Sequence, residues 1–241
     1  MKKNTYSIKD RFPKKIQKLS LKKKNISNSF MKLWHQKLKK FTLIENFNHN
    51  YVAKFNIVLK KNIKTLEIGA GIGNHLHYEK MLNKNYYCIE ILNNMIQEIK
   101  KKFPNVKCIK GDIQKKTNFV NNYFDKIHAI HVLEHLPNLP KCIDEVYRLI
   151  KPNGIFQVVI PCDPGFLYSI ARKISAERIF KKKFKIDYKW FIEREHINTP
   201  EEILFLIKNK FKIIDKKYFP FLVPSINFNL CLGLTLKPLK T

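Results

Sequence analysis

The sequence predicts an α/β fold in which a mostly parallel sheet is flanked by helices, and two observations carry that expectation. From Ile63 onward, short apolar runs near Thr65–Ile68, Tyr86–Ile91, Val106–Ile109, Lys126–Val132 and Ile155–Ile160 alternate with longer amphipathic stretches. That alternation is the pattern of repeated strand–helix units. Glycines or acids also follow the ends of these runs, where open parallel sheets bind their ligands.

The elements follow in order. Helices are expected at about His75–Leu82, Asn94–Phe103 and Leu139–Ile150, the last stopped by Lys151-Pro152-Asn153-Gly154. A segment rich in aromatic and basic residues, Pro161 to Asn198, holds a further helix with Phe166, Ile170 and Ile174 on one face. At Thr199-Pro200-Glu201-Glu202 the signature of a helix start is complete: Thr199 caps, Pro200 suits the first turn, and Glu202 closes a capping box. Two strands, Phe211–Phe219 and Phe228–Leu236, end the fold. In the second, Phe228, Leu230, Leu232, Leu234 and Leu236 alternate with Asn229, Cys231, Gly233 and Thr235, a period of two that excludes a membrane helix over Tyr218–Leu236.

Composition narrows the function classes. The 241 residues hold 47 Lys plus Arg against 19 Asp plus Glu, a net charge of +28, with 44% hydrophobic residues. That is enough to bury a full core, and it excludes collagen-like and disordered classes. Arg occurs only at positions 11, 148, 172, 178 and 194, leaving 42 Lys. Arg supplies the rigid fork that reads phosphates and base edges, so the charge is weak support for sequence-specific nucleic-acid contacts. Residues 1–40 carry 14 Lys or Arg and a single acid, Asp10. They read as a basic arm ahead of a domain over 41–241, whose insert at 161–198 would serve as a lid. The arm either docks on an anionic surface or records the A/T-rich codons of Lys. Five cysteines without paired-ligand spacing fit reduced thiols, and lysines interrupt every apolar run near the N-terminus, so a cytoplasmic setting is expected.

The chemistry concentrates in Glu67-Ile68-Gly69-Ala70-Gly71-Ile72-Gly73-Asn74. Glycines after a strand let the backbone turn tightly and approach a ligand, and the following amides can face it. Dinucleotide binders place glycine at the first, third and sixth positions. Here the sixth is Asn74, which argues for a different cofactor. Glu90 ends the second strand 21 residues beyond Gly69, where a carboxylate can accept both hydroxyls of a ribose. Asp112, in Gly111-Asp112-Ile113, could accept from an adenine amine.

These stretches, with Phe124-Asp125, Val132-Leu133-Glu134-His135-Leu136 and Leu149-Ile150-Lys151-Pro152-Asn153-Gly154, resemble the class I S-adenosylmethionine-dependent methyltransferases over roughly Asn62 to Leu236. The resemblance implies a Rossmann-like seven-stranded sheet whose last strand inserts antiparallel. It also implies S-adenosylmethionine as cofactor. Gly69 and Gly71 would approach its methionine part, Glu90 its ribose and Asp112 its adenine, with Glu67, Ala70, Ile91, Ile113 and His131 completing the cofactor set.

For the acceptor side, His135 and His196 are the candidate catalytic residues, since imidazole suits proton abstraction near neutral pH. Ubiquinone-type O-methyltransferases carry an acid-x-x-Glu-His motif at this strand end and a later His that can hold a divalent metal. Here His131 replaces the first acid, which leaves the metal open. The expected acceptor is a small molecule, a lipid or a glycan, methylated on oxygen or nitrogen, with peripheral contact to an anionic membrane surface. The competing reading is a nucleic-acid-directed methyltransferase or RNA-binding module anchored by the arm.

Overall fold

The computed structural model describes residues 8–38, 42–54, 63–79 and 85–240. Seven strands form one sheet in the order β3-β2-β1-β4-β5-β7-β6. They are β1 (Thr65–Ile68), β2 (Tyr86–Glu90), β3 (Lys107–Lys110), β4 (Phe124–Ile130), β5 (Ile150–Pro161), β6 (Phe211–Phe219) and β7 (Cys231–Pro238). β1 to β5 pair in parallel, while β7 runs antiparallel to both β5 and β6. The expected Rossmann-like sheet with its antiparallel insertion is the observed one.

The main core lies where β1, β4, β5 and β7 meet α4 (Leu139–Leu149) and α8 (Pro200–Lys208), with Leu66, Phe124, Ile127, Val146, Phe156 and Leu234 fully buried. Burial runs unbroken from Cys231 to Leu236 of β7, a strand inside the sheet with both of its faces covered over that stretch. That explains why its polar members are small: Gly233 lies so close to Tyr51 of α2 (Thr42–Ala53) that a Cβ would sit 2.7 Å from the ring.

Several boundaries differ by one or two residues from expectation, β4 for example running over Phe124–Ile130 rather than Lys126–Val132, and three differ by more. A 3-10 turn, His75–His77, stands where the helix over His75–Leu82 was expected to begin, and residues 80–84 fall outside the described residues. β5 starts at Ile150 rather than Ile155, because Ile150 already pairs with Phe124 before an irregularity in the ladder. The last strand starts at Cys231, since residues 226–228 form a 3-10 turn. The capping box is present, with Thr199 accepting from the Glu202 amide and Glu202 accepting from that of Thr199.

The basic segment 1–40 is docked in its described part. Phe30 of α1 (Leu21–Leu38) is buried edge-on against Phe180, Tyr188 and Phe191 of the insert, at ring separations of 5.0–6.1 Å. Lys14 donates to the Ile197 carbonyl and the buried Glu202 carboxylate, and Arg11 pairs with the same carboxylate. The insert itself consists of α5 (Phe166–Arg172), a π-turn at Lys173–Glu177, α6 (Arg178–Phe184) and α7 (Lys189–Glu195).

Candidate active site

The glycine loop takes backbone shapes that side chains resist: φ is +64° at Gly69 and +56° at Gly71. At Gly69 a Cβ would also stand 2.6 Å from Val132, so that position is closed by packing. Gly71 differs, because no atom lies within 4 Å of where its Cβ would be. The space over Gly71 is thus open to a ligand. Gly73 packs against Leu76, Ile99 and Phe103, which makes it a packing residue.

Glu90 closes one side of that space. Its carboxylate accepts from the Gly71 amide at 3.1 Å and from the Ile91 and Leu92 amides at 2.8 and 3.0 Å. Ile91 and Leu92, next to it in the chain, are exposed apolar residues. Asp112 accepts from the Gln114 amide and side chain at 3.0 Å. Ile113 is buried in the core behind it, and Ala70 is buried against Leu76. An open glycine turn, a half-buried carboxylate and an apolar flank fit a nucleoside with an amino-acid tail, as in S-adenosylmethionine.

Glu67 points elsewhere. Its carboxylate is buried, accepts from the Tyr86 hydroxyl at 2.8 Å and lies 3.8 Å from His128. A sealed cluster surrounds it: His75 bonds Glu79 at 2.9 Å, Lys126 pairs with Glu79 at 3.1 Å, and His49 meets His75 at 3.3 Å. Burial pushes the His75 imidazole down to about 4, although Glu79 works to raise it.

A second cluster stands at the end of β4. His131, at φ +53°, bonds Glu134 at 3.3 Å. Glu134 is 1% exposed and its Oε2 has no hydrogen-bond partner among the described residues. Burial works to raise its pKa, but His131, His135 and His196 hold the carboxyl down to about 2. His135 bonds the Glu195 carbonyl through Nδ1. Its ring lies 5.3 Å from that of His196, so the two candidate bases stand together. Donor atoms of Glu134, His135 and His196 lie within 4.8 Å of one another, as do those of His75, Glu79 and His128; either trio could contribute ligands to a metal ion.

Sequence reasoning missed Asp163. This residue is buried just beyond β5, bonds His196 Nδ1 at 2.8 Å and receives Arg172 at 2.6 Å. A carboxylate on Nδ1 fixes the imidazole tautomer and leaves Nε2 as the proton acceptor. Its only sequence signal was an acid following the fifth strand.

Fold, glycine loop and strand-end acids together are similar to those of the class I S-adenosylmethionine-dependent methyltransferases. Residues 66–158 match the methyltransferase domain family. The sterol 24-C-methyltransferase erg-4 of Neurospora crassa is 28% identical over 119 residues, which is 46% of this chain and 31% of the relative. The sterol 4-C-methyltransferase strm-1 of Caenorhabditis elegans is 31% identical over 116 residues, 46% of this chain and 34% of the relative. The matched stretch thus spans about a third of these curated relatives. Among solved structures, a SAM-dependent methyltransferase from Aquifex aeolicus superposes with a TM-score of 0.56 at 17% identity, covering 83% of this chain and 96% of the other.

Proposed function

We propose that the protein transfers the methyl group of S-adenosylmethionine to a small-molecule, lipid or glycan acceptor, on an oxygen or nitrogen that loses a proton. The observation that carries this reading is the open backbone at Gly71 beside the Glu90 carboxylate, a cradle that a Cβ would fill. The cofactor, when bound, supplies an electrophilic methyl on a sulfonium. Gly69 would shape the turn and Gly71 would let the chain approach the amino-acid part, Glu90 would take the ribose, and Ile91, Leu92 and Asp112 would flank the adenine.

The remaining work falls to the chain's own side chains. His196 would remove the acceptor proton through Nε2, with Asp163 holding the opposite nitrogen and stabilising the imidazolium that forms. His135 would orient the acceptor beside it. Tyr168, with its ring 6.0 Å from that of His196, would form one wall beside the base. The sterol methyltransferase relatives support an apolar acceptor of the lipid kind.

Calorimetry with S-adenosylhomocysteine tests the cofactor part. Gly69→Arg should abolish binding and Glu90→Ala should weaken it at least tenfold; equal affinity in wild type and both variants would sink the assignment. Methyl transfer from labelled cofactor to a lipid extract tests the base. His196→Ala should lower turnover by about 10²-fold or more, the usual worth of a general base, while leaving cofactor affinity in place.

A further inference from the structure

The insert exposes apolar surface on a helix whose other side is already anchored. Phe166, Ile170 and Ile174 recur every four residues along α5 and the π-turn, and they are 64%, 41% and 68% exposed. Ala176 and Phe180, on the same continuous helical run, are buried against Phe30, Tyr188 and Phe191. A helix apolar on both sides normally has both sides covered. Here only one is.

A second apolar segment adjoins it. Phe221, Leu222, Val223 and Phe228 are 53%, 92%, 52% and 55% exposed. The two segments are in contact, since a Cβ on Gly165, at the start of α5, would stand 2.4 Å from the Ile226 carbonyl oxygen. Monomeric soluble proteins rarely leave a contiguous apolar patch of this kind without a binding role. Its surroundings are cationic: Lys173, Arg178, Lys181, Lys182 and Lys183 are exposed on the helical run, and Lys216 and Lys217 are exposed on β6. The one acid on that run, Glu177, is already paired with Lys181.

We infer that the face formed by residues 166–174 and 221–228 docks on the surface of an anionic lipid bilayer, with the apolar side chains entering the headgroup region and the lysines meeting lipid phosphates. Apolar insertion and cationic attraction reinforce each other on such a surface. Of the alternatives, a second copy of this chain would bring the same lysines against each other, so charge favours the bilayer. The patch begins next to Asp163, the partner of His196, so an acceptor leaving the lipid would arrive beside the candidate base. Only that last step, acceptor delivery, rests on the methyltransferase reading.

Co-sedimentation of the full-length protein with vesicles tests the docking. Vesicles of phosphatidylcholine with 30 mol% phosphatidylserine should bind the protein at least tenfold more tightly than pure phosphatidylcholine vesicles. Ile174→Asp combined with Leu222→Asp should lower binding at least tenfold, and a Lys181→Gln, Lys182→Gln, Lys183→Gln triple variant should lose most of the preference for anionic vesicles. Binding of S-adenosylhomocysteine should be unchanged in all of them, which establishes that they fold. No vesicle binding, or equal binding by the Asp variant, would overturn the inference. So would a wild-type dimer in sedimentation velocity that Leu222→Asp dissociates, because the patch would then be a contact between copies. Vesicle binding together with failed cofactor binding would leave the docking standing and remove the methyltransferase reading instead.

Discussion

Two histidine clusters are built from one strand and its end, and they have opposite fates. His128, inside β4, belongs to a cluster with Glu67, His75, Glu79, Tyr86 and Lys126 that is closed to solvent. Three residues on, His131 begins the rim cluster with Glu134, His135 and His196, in which the imidazoles keep partial exposure. Residue types are nearly the same in both. What differs is water: burial drives His75 and His128 toward the neutral form, whereas at the rim Glu134 stays charged against three imidazoles. The first arrangement ties α2 to the sheet, as the Lys126 bond to the Val52 carbonyl illustrates. The second leaves partly exposed imidazoles at the strand end, where the proposed reaction would need its base.

The largest effect should come from breaking the sealed cluster. Lys126 is fully buried and pairs with Glu79 at 3.1 Å. Removing one partner of a buried pair strands the other's charge and typically costs about 3–5 kcal/mol. Lys126→Ala should lose roughly that much in urea unfolding while the folded fraction still binds S-adenosylhomocysteine. A loss below about 1 kcal/mol would mean that water already reaches the cluster.

Acid should separate the clusters next. The folded pKa of His75, pushed down to about 4, lies below its unfolded value, so the unfolded chain binds the proton more readily. The contribution of His75 is therefore complete above pH 6.5 and fades as pH falls toward 4. Between pH 7 and pH 5 that amounts to about 2 kcal/mol of lost stability. His128, also depressed, adds loss in the same direction. Glu67, raised by burial, acts oppositely, since its folded form gains a proton first on acidification. Urea unfolding at both pH values measures the net effect. His75→Gln should flatten the pH dependence, and an unchanged slope would show that the titrating group lies elsewhere.

Much of this organisation was legible in the sequence, though unevenly. β1 and β6 were read to the residue because each is a short apolar or alternating run with polar flanks. The glycine loop was legible because its spacing is local. Glu67 was misplaced for an instructive reason: its position two residues before Gly69 suggested the cleft, yet alternation along β1 turns its side chain to the face that carries Tyr86 and His128. Asp163 and the docking of α1 depend on contacts between residues far apart in the chain, such as Phe30 with Phe180, and no local pattern announces these. The sealed cluster was hidden for the same reason, since His49, His75 and His128 are scattered through the sequence.

The smallest predicted effect isolates Asp163 as a positioning residue. Its carboxylate touches His196 Nδ1 and Arg172, so in the proposed reaction it would act through His196. Asp163→Asn keeps the shape and can still hydrogen-bond the ring. A neutral amide, however, does not stabilise the imidazolium that forms during proton removal, and it permits the wrong tautomer. Turnover should fall about tenfold, a smaller loss than for His196→Ala, with cofactor affinity unchanged. The split between kcat and KM decides between positioning and mere support of the fold. Loss of the carboxylate should lower kcat while KM for the cofactor and urea stability stay in place, and Asp163→Glu should restore part of kcat. An unchanged kcat, or a loss of turnover matched by a loss of stability, would make Asp163 a structural partner of Arg172 and leave the rim base unsupported from β5.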